Sequence, residues 1–103
     1  MSEERYYDYM LRRTREEDNK VSDKERELLI ILMEECGEVI QSASKIIRFG
    51  NDHSNRASFA KELGDLQAMI DLTKDFTFTT SQELEKQSRA KIAKLHTYSN
   101  LYK

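Results

Sequence analysis

Two short runs of acid and glycine carry the chemistry this sequence offers. Glu34-Glu35-Cys36-Gly37-Glu38 and Glu62-Leu63-Gly64-Asp65 share the order acid, apolar residue, glycine, acid, with Glu35 and Glu62 standing 27 residues apart. Residues three apart share a helix face, so each run can present a pair: Glu35 with Glu38, and Glu62 with Asp65. Carboxylates gathered from both runs would repel by about 4 kcal/mol per pair at ~4 Å and an effective dielectric near 20. Such a group must bind protons or cations. A donor set of oxygens, without imidazole or thiolate, suits Mg²⁺ or Mn²⁺ better than zinc or copper. A ferritin-like di-iron site needs Glu-x-x-His pairs, and His53 and His96 are preceded at that spacing by Gly50 and Ala93. Mg²⁺ held by carboxylates on one side keeps positions for water and phosphate oxygens. Phosphate chemistry is the expectation, with Lys45, Arg48, Lys91 and Lys94 as candidate phosphate-binding side chains.

The elements that must position these residues are helices. Ser22 with Glu25 forms a capping-box pattern opening a long helix through Leu28 to Ile47, which stops at Gly50 in an expected left-handed cap. Asp52 or Ser54 can cap a next helix over about 55–76, with a soft end because Phe76-Thr77-Phe78-Thr79-Thr80 favours extended backbone. Thr80 with Glu83 repeats the capping-box pattern and opens a further helix through about His96. An earlier amphipathic helix is expected over 2–15, with Tyr6, Tyr9, Met10 and Arg13 at helical spacing. The two central helices should run antiparallel, bringing the acid pairs level. Each contains a glycine that costs about 1 kcal/mol relative to alanine, which a close approach of helices or ligand would offset. Projection at 100° per residue puts the main apolar stripe of the first central helix on Leu29, Leu32, Cys36, Ile40, Ala43 and Ile47, with Cys36 a buried small hydrophobe. A second face runs Ile31, Glu35, Glu38, Ser42. In the second central helix Phe59, Leu63, Leu66 and Ile70 form the main stripe, beside a row of Ser58, Glu62, Asp65, Met69, Leu72 and Phe76.

Composition bounds the rest. A chain of 103 residues with no proline, three glycines and 35% charged residues fits a single all-α domain over 1–103 and lacks the turn residues an all-β fold needs. A core this small is marginal alone, so self-association is expected. One cysteine supports no internal disulfide, the opening residues are charged, and no apolar run reaches the ~18 residues of a membrane span. A cytoplasmic location without a membrane partner follows as an expectation. Seventeen basic and nineteen acidic residues give a net charge of -2, which argues against a nucleic-acid partner held by counterion release.

The run Glu34-Glu35-Cys36-Gly37-Glu38, separated from Glu62-Leu63-Gly64-Asp65 by 23 residues, resembles the EExxE and ExxD motifs of the MazG-like, all-α nucleoside triphosphate pyrophosphohydrolases. The resemblance covers about residues 28–72. It implies a four-helix-bundle type of protomer that forms homodimers, sometimes homotetramers. It implies hydrolysis of a (deoxy)nucleoside triphosphate between its α and β phosphates, giving the monophosphate and pyrophosphate, for nucleotide clearance or pool adjustment. The family's metal ligands map onto Glu35, Glu38, Glu62 and Asp65. Glu34, with Glu35 and Glu38 in the catalytic motif, would support them, add a metal contact or serve as base. The family's basic contacts from its last helix fall near Lys91 and Lys94. The sequence departs from the pattern at Lys61, where an acid often precedes ExxD, and in having no tryptophan near the base.

Two or three divalent ions on these acids would leave a positive surface for a triphosphate, activate a water and neutralise the departing pyrophosphate. Tyr6, Tyr7, Tyr9, Phe49, Tyr98 and Tyr102 are the aromatic candidates for stacking on the base, each also readable as core or interface. His53 reads as a turn residue. A dUTP-specific or phosphoribosyl-ATP-type diphosphohydrolase and a non-catalytic helical binding module are the alternative readings.

Overall fold

Ser22 caps the first described helix as its spacing to Glu25 predicts. Its Oγ accepts from the Glu25 backbone N–H at 3.1 Å while Glu25 Oε1 accepts from the Ser22 N–H at 3.1 Å, so both halves of the capping box are present. The computed structural model describes Arg5 and residues 19–103. These contain α1 (Asp23–Phe49), α2 (His53–Asp75) and α3 (Ser81–Tyr98). The helix expected over 2–15, Arg5 apart, lies outside the described residues, as do Tyr6, Tyr7 and Tyr9.

Gly50 ends α1, but not in the left-handed helical region: its φ of 104° and ψ of 161° belong to a region open essentially to glycine alone. Its N–H donates to the Ile46 carbonyl, and its own carbonyl accepts from Asn55 Nδ2 at 2.9 Å. Asp52 Oδ1 accepts from the Asn55 N–H at 2.8 Å and so caps α2. A connection of Gly50, Asn51 and Asp52 turns the chain back, and α2 packs along α1 as the antiparallel half of a helical hairpin.

The end of α2 is firmer than its β-branched sequence predicts. Thr77 takes a φ of 60°, the Phe78 N–H donates to the Thr73 carbonyl, and the Thr77 N–H donates to the Lys74 carbonyl. That pair of bonds is a Schellman closure, with threonine in the left-handed position glycine usually fills. Thr80 then caps α3 by accepting from the Glu83 N–H. The reciprocal half differs from a full box, because the Glu83 carboxylate accepts from Thr79 Oγ1 at 2.9 Å. The helix runs two residues beyond His96, whose ring stacks on Tyr102 at 3.8 Å between centroids.

The hairpin packs along a line that neither expected stripe matches in full. The inward positions are Leu28, Leu32, Glu35, Val39, Ser42 and Ile46 on α1, and Phe59, Glu62, Leu66, Met69, Thr73 and Phe76 on α2, each buried or half-buried. Their alternating steps of three and four are the 3.5-residue repeat of two helices winding together, which drifts from a straight 100° projection. Leu32 of the expected main stripe of α1 packs inward, but half of that stripe faces away: Ile40 is 69% exposed, Ile47 86%, and Cys36 is exposed rather than a buried hydrophobe. The reason is geometric. α1 is apolar on two sides and α2 covers one of them. Leu63, expected on the main stripe of α2, is likewise exposed, and Leu28 and Met69 are the buried apolar side chains among the described residues.

The fold is therefore all-helical, with packing among the described residues concentrated between α1 and α2. α3 has no buried residue. The radius of gyration is 20.3 Å, against about 13 Å for a compact domain of this length. No described helix is long and apolar enough to cross a membrane.

Candidate metal centre between two helices

Glu35 sits on the inward line of α1, while Glu62 and Asp65 sit one turn apart on α2. The antiparallel pairing brings them level, as the two runs predict. One carboxylate oxygen from each lies within 4.8 Å of the others, and this is the one such group of three among the described residues. All three residues are half-buried. Glu62 is the more enclosed of the α2 pair, its side chain 16% exposed against 44% for Asp65.

Glu35 is the strained member electrostatically. Its Oε2 is sealed from solvent without a hydrogen-bond partner. Loss of solvent around the carboxylate, then the negative charges of Asp65 and Glu62, push its pKa above the usual glutamate value, with Lys61 opposing and Glu38 adding to the shift. An orphaned carboxylate oxygen facing two further carboxylates fits a hard cation by donor chemistry, since the set is all oxygen.

Lys61 neutralises part of this charge. Its Nζ lies 2.9 Å from Asp65 Oδ2 and 3.6 Å from Glu62 Oε1. Its pKa is raised, chiefly by the hydrogen bond to Asp65 and by the charges of Asp65 and Glu62. The i, i+4 spacing of Lys61 and Asp65 is the signal for this pair, although the sequence marks Lys61 only as a departure from the resembled motif.

The other candidate residues fall outside the group of three. Glu38 is one turn beyond Glu35, exposed, and close enough for its charge to act on Glu35. Glu34 is exposed beside Glu35. Lys45 and Arg48 are exposed farther along α1, about 15 and 20 Å from Glu35 at 1.5 Å per residue. The Arg48 guanidinium lies over the Phe49 ring at 5.1 Å. Lys91 and Lys94 are exposed on α3. No ion pair among the described residues joins these four bases to the acids.

The expectation that close packing offsets the two helical glycines does not hold within the protomer. A Cβ placed on Gly37 or Gly64 would meet nothing within 4 Å. The sequence reading also missed an apolar cleft of about 310 Å³ toward the open end of the hairpin, lined by Leu28, Ile31, Met69, Leu72 and Phe76, with Lys24 and Glu27 beside them. Met69 is one turn from Asp65, so the cleft adjoins the acids. Comparison of the chain with protein-family models, curated proteins and solved structures finds no significant match.

Proposed function

We propose that this protein hydrolyses a nucleoside triphosphate between its α and β phosphates, using a divalent cation held by Glu35, Glu62 and Asp65. The observation that carries the reading is the convergence of these carboxylates from two helices, with Glu35 Oε2 enclosed and unpartnered. Glu38, exposed one turn along α1, is close enough for its charge to act on the same group. When bound, Mg²⁺ or Mn²⁺ supplies Lewis-acid activation of water and neutralisation of phosphate charge.

The chain's own residues supply the rest. In the reaction, water attacks the α-phosphorus, the bond from that phosphorus to the α,β-bridging oxygen breaks, and pyrophosphate leaves. Exposed Glu34 or Glu38 can accept the proton lost by the water. Lys45, Arg48, Lys91 and Lys94 reach the phosphates only if a second copy or a rearrangement brings them near. The apolar cleft beside Met69 offers walls for a base or sugar.

Self-association belongs to the same proposal. Ile30, Met33, Gly37, Ile40, Ser44 and Ile47 form a second line on α1 with steps of three and four, and its large side chains are exposed. A copy of the chain laid against this line completes a four-helix bundle from two hairpins. Gly37, open in the protomer, then permits close approach.

The test is pyrophosphate release across a panel of canonical and modified nucleoside triphosphates with Mg²⁺ or Mn²⁺. Activity abolished by EDTA and by Glu35→Gln or Glu62→Gln is the expected result. No release from any substrate, or release that survives EDTA, overturns the reading. A strong preference within the panel separates a dUTP-specific or phosphoribosyl-ATP-type enzyme from a general one. The exposed apolar line also favours a second reading, a non-catalytic helical binding module, for which the panel would be silent.

A further inference from the structure

Lys61 places an ammonium against two of the three carboxylates that would hold the cation. Its Nζ is 2.9 Å from Asp65 Oδ2 and 3.6 Å from Glu62 Oε1, while Glu35 opposite is left with an orphaned oxygen. The lysine has no packing reason to be there. Its side chain is 69% exposed on a flexible stem, and the same ammonium could reach water without loss of buried surface.

We infer that Lys61 is a tethered counter-ion that competes with the divalent cation for Glu62 and Asp65, and so sets the cation affinity of the site. The inference rests on the metal reading above. A singly charged ammonium offsets one of the three carboxylate charges and leaves Glu35 Oε2 without a hydrogen-bond partner. A divalent cation can serve all three. The two cations cannot share the cluster closely without repulsion, so cation entry drives Lys61 outward, where its stem is free to turn into solvent. Lys61 is a positioning residue here: it acts on the carboxylates, not on the substrate.

The experiment is a titration of the full chain with Mn²⁺ alone, followed by the electron paramagnetic resonance signal of free Mn²⁺, for wild type, Lys61→Met, Lys61→Gln and Lys61→Arg. Helix content and melting temperature are recorded for each. Losing two ion pairs made by an exposed lysine that oppose binding makes Lys61→Met and Lys61→Gln bind about two- to tenfold tighter, while Lys61→Arg, keeping the charge, stays within about twofold of wild type. Equal or weaker binding by both neutral variants, with wild type binding, overturns the inference and leaves the metal reading standing. No uptake by wild type or by any variant at millimolar Mn²⁺ overturns both. Uptake by the neutral variants alone supports the inference in its strongest form.

Discussion

The exposed line on α1 gives the most discriminating test of the proposed self-association. Ile30 is 49% exposed, Met33 71%, Ile40 69% and Ile47 86%. Covering an isoleucine or methionine side chain fully is worth roughly 1.5–3 kcal/mol, so these exposures leave about 4–8 kcal/mol per protomer available on contact. Two protomers contribute about 8–16 kcal/mol as an upper bound, against an association cost of roughly 4–15 kcal/mol. A dimer of micromolar or tighter affinity is within that range. Ile40→Glu removes about 1–2 kcal/mol per protomer and sets a carboxylate into the contact, so the dissociation constant should rise at least about 30-fold. Gln41→Glu adds the same charge at an exposed neighbouring position off the line and should change it by less than about threefold. Sedimentation velocity over a concentration series measures all three proteins. The reasoning is refuted if Ile40→Glu dimerises like wild type, or if wild type is a monomer at ~100 µM, far above the expected dissociation constant.

Two further predictions concern the protomer. Thr77→Gly relieves a β-branched residue held at a φ of 60°; it should stabilise the chain by roughly 1 kcal/mol and raise the melting temperature by a few degrees in thermal denaturation. Glu35 has a raised pKa, so the native state holds its proton between the ordinary glutamate value and the raised one, and its contribution to stability falls as pH rises through that window. Glu35→Gln removes this dependence: in metal-free buffer its melting temperature should exceed that of wild type by a margin that grows across the window and then levels off. A margin independent of pH would show that Glu35 is not destabilised by ionising. Glu25, whose pKa is lowered by its hydrogen bonds to Ser22, acts with the opposite sign, losing stabilisation as pH falls, and is common to both proteins.

Local signals in the sequence were reliable where the chemistry was local. Ser22 with Glu25, Gly50 and Asp52 each name their own hydrogen-bond partner within a few residues, and all three punctuate the helices where expected, although Gly50 does so outside the left-handed helical region. The levelling of the two acid runs also followed, because a short antiparallel turn fixes register once both helices are assigned, but of the four paired acids Glu38 stays exposed outside the group that Glu35 forms with Glu62 and Asp65. The inward face of α1 did not follow. Both of its sides are apolar, and only the number of neighbours decides which is covered; the side bearing Glu35 and Ser42 packs, and the side with Ile40 and Ile47 does not. Thr77 misled for a related reason: its propensity is extended, but closing the last carbonyls of α2 outweighs it. Lys61 was visible as a residue out of pattern, whereas its contact with Glu62 depends on the rotamer of a long side chain.

The seam between α1 and α2 carries polar side chains along its length: Glu35 and Ser42 on one helix, Glu62 and Thr73 on the other. Such a seam is a poor way to hold two helices together and a good way to hold a cation between them. If the carboxylates are cation ligands, binding ties α1 to α2, and the unfolded chain, which cannot keep residues 27 apart at ligand spacing, gains nothing comparable. Cation binding must then stabilise the fold, by about 2.7 kcal/mol at a free concentration 100 times the dissociation constant. Glu35→Gln separates this from non-specific salt effects, because it should raise the metal-free melting temperature while abolishing the increment from Mg²⁺ or Mn²⁺. Differential scanning fluorimetry with and without each cation, at constant ionic strength, reads both quantities. An increment that persists undiminished in Glu35→Gln would place the cation elsewhere, and no increment in wild type would return the cluster to an ordinary acidic seam balanced by Lys61.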